Sequence, residues 1–218
     1  VRKIWIIDNS LNSKELKNEI TGYSGNIEVI TLGRNKGIAY AQNLGIRKSI
    51  QACSDYIILS DQDTVYPIDY VSKMLIPFER DESNKVAAVA PLFHNVLGRE
   101  LNSGFVRLSK FKFSRIFPDN GCHYIYQAIA SGLLLKSGLL KEVGLMDTRL
   151  FIDWVDIEWC WRANAKGFFI LGNADVLIEH NLGDSEITVG DKSISLRSPI
   201  RHYYITRNAF HLAFRSPY

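Results

Sequence analysis

Six short apolar runs frame this chain, at residues 3–7, 27–32, 56–60, 86–92, 132–136 and 168–179, several of them rich in β-branched residues. Helical periodicity separates the first few of them, over 13–21, 38–52 and 68–79. Strand-length runs that alternate with amphipathic segments bury both by laying helices against a sheet. The alternation therefore predicts an α/β fold with a mostly parallel central sheet flanked by helices. Further helices are predicted over 137–143, 155–166 and 199–215.

At 218 residues and 46% hydrophobic, the chain can build one sizeable core, so residues 1–218 are read as a single domain. The 26 Lys and Arg against 23 Asp and Glu leave only +3, dispersed along the chain, which argues against nucleic-acid binding by bulk attraction. Cys53, Cys122 and Cys160 are far apart and odd in number. They suggest neither a disulfide framework nor a zinc knuckle, and fit a reducing, cytoplasmic setting. No apolar run approaches the roughly 18 to 20 residues of a membrane span, so any membrane would lie beside this stretch. The segment VRLSKFKFSRIF (106–117) loses the αβ rhythm. Its Lys/Phe alternation predicts an edge strand, where lysines discourage pairing, with a basic lip touching a phosphate or a membrane surface as the alternative.

In open parallel sheets, ligands gather beyond the carboxyl ends of strands. Asp8 and Asn9 stand at one such end and Asp61 and Asp63 at another. In an extended backbone, residues i and i+2 project to the same side, so Asp61 and Asp63 can converge on one point. Such a pair suits Mg²⁺, which takes one or two carboxylates and completes its shell with water and phosphate oxygens. Two alternatives stay open: an Asx turn that closes a buried strand, and the D-x-D-x-[TV] loop of haloacid-dehalogenase-like phosphatases, which those proteins place on their first strand.

Three further stretches carry chemistry-bearing residues. In GRNKGIAYAQNLGI, Gly33 and Gly37 bracket Arg34, Asn35 and Lys36 before a helix rich in small residues. A glycine-lined helix start beside cations suits a pyrophosphate. In LFIDWVDIEWCWRANAKG, three tryptophans and three carboxylates fall between Asp153 and Trp161. Asp153 reads as a helix N-cap, and Asp156 as a first-turn carboxylate that the helix dipole keeps ionised. Glu158 is expected to pair with Arg162 at i, i+4, and Trp159 to be core. His180 follows an apolar run, where a neutral imidazole could complete a metal shell or simply serve the structure.

Taken in order, IIDNS, RNKGIAYAQNLGI, LSDQDT, the long segment from ASGLLL to RANAKGF, IEHNLG and YYITRN resemble a family 2 glycosyltransferase of GT-A fold, and more narrowly its bacterial rhamnosyltransferase branch. The resemblance implies an inverting, metal-dependent transfer from a nucleotide-diphospho-sugar, TDP-rhamnose or a UDP-sugar, to a glycan or lipid-linked acceptor in cell-surface polysaccharide synthesis. It implies that Asp8, Arg34, Asn35, Gly37, Asn43 and Asp61 surround the nucleotide. Asp61, Asp63 and His180 would hold Mg²⁺ or Mn²⁺, Asp156 would act as the base, and Gly132, Asp153 and Trp154 would line the acceptor side. Where many relatives carry a Glu-Asp pair, this chain has Val155-Asp156, which leaves Asp153 and Glu158 as possible substitutes. The resemblance further implies a strand before Val1, a tail after Tyr218, and a place at the inner face of the cell membrane. A non-catalytic carbohydrate-binding protein of the same fold is the remaining alternative.

Overall fold

The computed structural model describes residues 1–11, 26–94, 103–110, 112–179, 185–189, 192–196 and 198–215. The helix predicted over 13–21 lies outside the described residues, as does His180. Strand β1 (Ile4–Asp8) pairs in parallel with β2 (Ile27–Thr31), Asp8 opposite Thr31. A five-stranded sheet has the order β3 (Tyr56–Leu59), β8 (Leu133–Lys136), β4 (Val86–His94), β9 (Phe169–Glu179), β7 (Cys122–Ile125). The helices are α1 (Ile38–Gln51), α2 (Tyr70–Glu79), α3 (Leu140–Val143), α4 (Val155–Ala165) and α5 (Pro199–Arg215).

The α/β class holds, but the five-stranded sheet is mixed rather than mostly parallel. β4 and β9 run parallel, whereas β3–β8, β8–β4 and β9–β7 are antiparallel. Apolar runs reveal that a strand is covered on both faces, and say nothing of its direction. β4 is such a strand, buried continuously from Val86 to Leu92.

The period-2 alternation of β8 divides the core. Leu133 and Leu135 pack with Ala39 and Ile46 of α1 and with Trp159 and Ala163 of α4. Leu134 joins Tyr70, Met74 and Phe78 of α2 on the opposite face. Each fully buried leucine contributes about 1.5–3 kcal/mol, so β8 ties both helical layers to the sheet. The segment just before β8 is thereby held still, and it is the one that meets the site described below.

Residues 105–116 form a hairpin, β5 (Phe105–Ser109) with β6 (Lys112–Ile116), instead of one edge strand. Lys110 takes φ 44° where the chain reverses. Phe113 packs onto Trp161 with ring centroids 6.3 Å apart and planes 22° from parallel. A second hairpin joins β10 (Ser185–Val189) to β11 (Lys192–Leu196). Among the described residues, no helix is long and apolar enough to cross a membrane.

Candidate active site

β3 stops at Leu59, and the chain turns at Gln62 and Asp63. Asp61 and Asp63 therefore sit on a polar turn, not at alternate positions of an extended strand as the i, i+2 argument assumed. Asp61 Oδ2 accepts the Ser131 hydroxyl at 2.5 Å. One residue earlier, the Ala130 N–H donates to Asp156 Oδ2 at 2.9 Å. Gly132 follows with φ +78°, its N–H donating to the Leu59 carbonyl at 2.8 Å and its own carbonyl accepting the Tyr70 hydroxyl. A Cβ on Gly132 would lie 3.0–3.1 Å from Pro91, Ile178 and Tyr70, a tight fit that adds to the strain of any side chain at this φ.

Asp156 lies in the first turn of α4, where its Oδ1 accepts the Ile157 N–H at 2.9 Å. Burial raises its pKa to about 6. The N–H groups of Ile157 and Ala130 oppose that rise, and the negative charge of Asp61 adds to it. Desolvation thus outweighs the helix-start N–H bonds that were expected to keep it ionised. A carboxyl that titrates near neutrality is well matched to accepting a proton from a hydroxyl.

Across the molecule's strand ends, Asp8 is 8% exposed. Its Oδ1 accepts the Ser10 N–H at 3.0 Å and the Ser10 hydroxyl at 2.6 Å. Its Oδ2 is buried and meets no donor among the described residues. An unsatisfied buried carboxylate oxygen is costly, and a ligand N–H or O–H would relieve it. Asn9 fastens the neighbouring loop to β1: its Oδ1 accepts the Lys36 N–H at 2.8 Å, and its Nδ2 donates to Asn35 Oδ1 at 2.9 Å. Arg34 is exposed on this loop. Gly37, with φ +84°, abuts Phe151, whose carbonyl accepts the Ile38 N–H at the start of α1.

Residues 2–131 match the model of a family described as glycosyl transferase family 2. The chain belongs to that family. It is 32% identical over 213 residues to a dTDP-rhamnosyl transferase, RfbF of Shigella flexneri, covering 95% of this chain and 69% of that enzyme. Among solved structures, GalNAc-T7 with UDP, GalNAc and Mn²⁺ superposes with a TM-score of 0.68 at 16% identity, covering 83% of this chain and 38% of that one. TarS 1-349 of S. aureus in complex with UDP gives 0.56 at 12% identity over 98% of this chain and 63% of that one. The expected GT-A fold is therefore present, and the chain is a glycosyltransferase. The family also sets aside the phosphatase reading of Asp61 and Asp63.

A glycosyltransferase of this fold is expected to hold a divalent cation beside the donor diphosphate. Asp61 and Asp63 offer two carboxylates on an open turn, which fits a hard cation that completes its shell with water and phosphate oxygens. Among the described residues, no three His, Cys, Asp or Glu side chains cluster as a ready-made site. His180, the third expected ligand, lies outside the described residues.

Several expected glycosyltransferase residues have other tasks. Asn43, expected around the nucleotide, is 2% exposed and clamps Met146, accepting its N–H and donating to its carbonyl, both at 2.8 Å. The Asn35 carboxamide oxygen is likewise engaged within its own loop, accepting the Gly37 N–H at 2.9 Å. Gly132, expected on the acceptor side, is buried, and its neighbour Ser131 reaches Asp61. Asp153 does not cap α4; Trp154 occupies that position in a left-handed backbone without a side-chain cap. The Asp153 carboxylate, expected on the acceptor side and as a possible substitute base, pairs with Arg201 at 2.8 Å. The Trp154 indole donates to the Ile205 carbonyl at 3.1 Å. Glu158 is 1% exposed and grips Arg162 through two 2.8 Å contacts, as the i, i+4 spacing predicted, and Trp159 is core.

Sequence reasoning missed Ser131 and the α5 residues that face Asp153, and it noted Arg115 only as part of the basic segment 106–117. Arg115 and Gln127 line a pocket of about 110 Å³ between the β5–β6 hairpin and the Ala128–Ser131 segment, reaching Ile157 beside Asp156. The ASG triplet was a visible signal for Ser131, and the basic-lip alternative for 106–117 was the signal for Arg115.

Proposed function

We propose that this glycosyltransferase moves a rhamnosyl group from dTDP-rhamnose to an acceptor hydroxyl, with inversion at the anomeric carbon. The observation that carries this reading is the bridge made by Ala130 and Ser131, which binds Asp156 through one residue and Asp61 through the next. A near-neutral carboxyl is thus coupled to the carboxylates suited to the donor's diphosphate.

Asp156 accepts the proton of the acceptor hydroxyl. That oxygen forms its new bond to the anomeric carbon as the bond from this carbon to the β-phosphate oxygen breaks, and dTDP leaves. The unpartnered oxygen of Asp8 receives an N–H of the base or a ribose hydroxyl. Arg34 and the backbone up to Gly37 lie toward the diphosphate, where a guanidinium suits paired phosphate oxygens. Asp61 and Asp63, with His180 as a further candidate, would hold Mg²⁺ or Mn²⁺. When bound, such a cation offsets charge on the departing diphosphate, typically worth several kcal/mol.

The choice of dTDP-rhamnose over a UDP-sugar is supported by the Shigella relative. The two UDP-bound neighbours make UDP-sugars the competing donors. For the acceptor we infer a glycan or lipid-linked glycan of the cell surface, met at the inner face of the membrane. In support, α5 exposes Ile200, Tyr203, Phe210 and Phe214.

The test is dTDP release from dTDP-rhamnose with Mn²⁺ and a panel of glycan acceptors. Wild-type protein is expected to turn over, with Asp156→Asn and Asp63→Ala reduced by about 10²–10⁴-fold. Undiminished turnover in both variants overturns the reading. Glycan affinity indifferent to nucleotide and cation would return the non-catalytic alternative.

A further inference from the structure

The loop before α4 carries three non-glycine residues in the left-handed region: Phe151 at φ 67°, Asp153 at 59° and Trp154 at 64°. L-residues rarely adopt this backbone, and it persists only where the surroundings over-determine it. Here α5 does so. Asn208, fully buried, directs its carboxamide nitrogen at three carbonyls, Leu150 and Ile152 at 2.8 Å and Asp153 at 3.1 Å. Its carboxamide oxygen accepts Arg207 Nε at 3.0 Å, and Arg207 itself donates to the carbonyls of Arg149 and Leu150. The Tyr204 ring stacks on Phe151, centroids 4.8 Å apart and planes 15° from parallel.

This loop touches both halves of the reaction. At one end, Phe151 closes on Gly37 and caps α1. At the other, Trp154 leads into the first turn of α4, two residues before Asp156. The loop thereby sets where α4 begins.

We propose that Asn208 is a positioning residue for glycosyl transfer, holding the left-handed backbone of residues 150–154 so that the base and the nucleotide loop keep a fixed relation. The inference rests on the reading of Asp156 as the base. Without the carboxamide, the three carbonyls lose their common donor and the loop relaxes toward ordinary backbone angles. Small displacements of a base from its substrate hydroxyl reduce turnover steeply. Nucleotide affinity, which draws on Asp8, the cation turn and the Arg34 loop that Asn9 fastens to β1, is affected much less.

The experiment compares wild type with Asn208→Ala and with Arg201→Gln, a milder change on the half-buried rim of the same clamp. It measures kcat with dTDP-rhamnose, the Kd for dTDP with Mn²⁺, and backbone hydrogen exchange. For Asn208→Ala the expected result is kcat lower by about 10- to 100-fold, Kd within about threefold, and faster exchange confined to residues 149–157. Arg201→Gln is expected to show the same pattern more weakly, which covers the case in which Asn208→Ala fails to fold. Unchanged kcat in a folded variant overturns the proposal, as does a loss of dTDP affinity as large as the loss of kcat. An inactive wild type would overturn the donor assignment instead, since the exchange pattern is read without turnover.

Discussion

Gly37 and Phe151 meet so closely that a Cβ on Gly37 would lie 2.6 Å from the Phe151 ring and 2.7 Å from its carbonyl oxygen. The glycine also holds φ +84°. Both the contact and the backbone angle exclude a side chain, and they join the loop beside Arg34 to the loop that leads into α4.

Gly37→Ala should therefore destabilise the protein by about 2 kcal/mol or more, from backbone strain and overpacking together. Urea unfolding checks the stability. Calorimetric titration with dTDP should in addition show weaker binding, because a side chain at Gly37 displaces the loop that carries Arg34. Wild-type stability in the variant would mean that Phe151 moves aside freely.

The raised pKa of Asp156 gives a pH dependence with a definite sign. A base works in its ionised form, and burial together with Asp61 shifts half-ionisation from the ordinary 3.8 up to about 6. Turnover should then be nearly level above pH 7 and fall below about 6, approaching tenfold per pH unit on the acid side. Asp156→Asn should lower kcat by about 10²–10⁴-fold and abolish that acid limb while leaving dTDP binding intact. An acid limb that survives in Asp156→Asn would assign the titration to another group.

Much of this was legible in the chain because strand and helix periods follow directly from burial. The starts of α1 and α4 fell where the patterns placed them, as did the pairing of Glu158 with Arg162. Strand direction was not legible, since the apolar run that became β8 reads the same in either orientation. Asn43 and Asp153 misled because polar residues near a site look alike whether they hold a ligand or a backbone carbonyl. Asn208 shows the converse: its three acceptors are more than fifty residues away along the chain, and no local pattern points to them.

Arg162 extends the same argument to stability. It bonds both Glu158 oxygens and the carbonyls of Val143 and Leu145, at 2.8 Å each, with little of either charged side chain exposed. Removing one partner of such a pair strands a buried charge, so Arg162→Leu should cost roughly 3–5 kcal/mol. Thermal unfolding should register the loss. At low temperature the protein that remains folded should still bind dTDP, because this network holds α3 to α4, whereas Asp8 bonds to Ser10.

Nucleotide and cation make separable contributions that a thermal-shift series can resolve. A ligand that binds only the folded state adds RT ln(1 + [L]/Kd), about 2.7 kcal/mol at a hundredfold excess over Kd. With dTDP and Mn²⁺ together the shift should exceed that with dTDP alone, and a chelator should remove the difference. Asp63→Ala should lose the cation-dependent part and keep the remainder, because Asp63 stands exposed on its turn and carries no part of the core. Asp8→Ala should lose the nucleotide part, since the buried oxygen that awaits a donor is then gone. A shift with dTDP that is equal in all three proteins, with or without Mn²⁺, would place nucleotide binding elsewhere on the molecule.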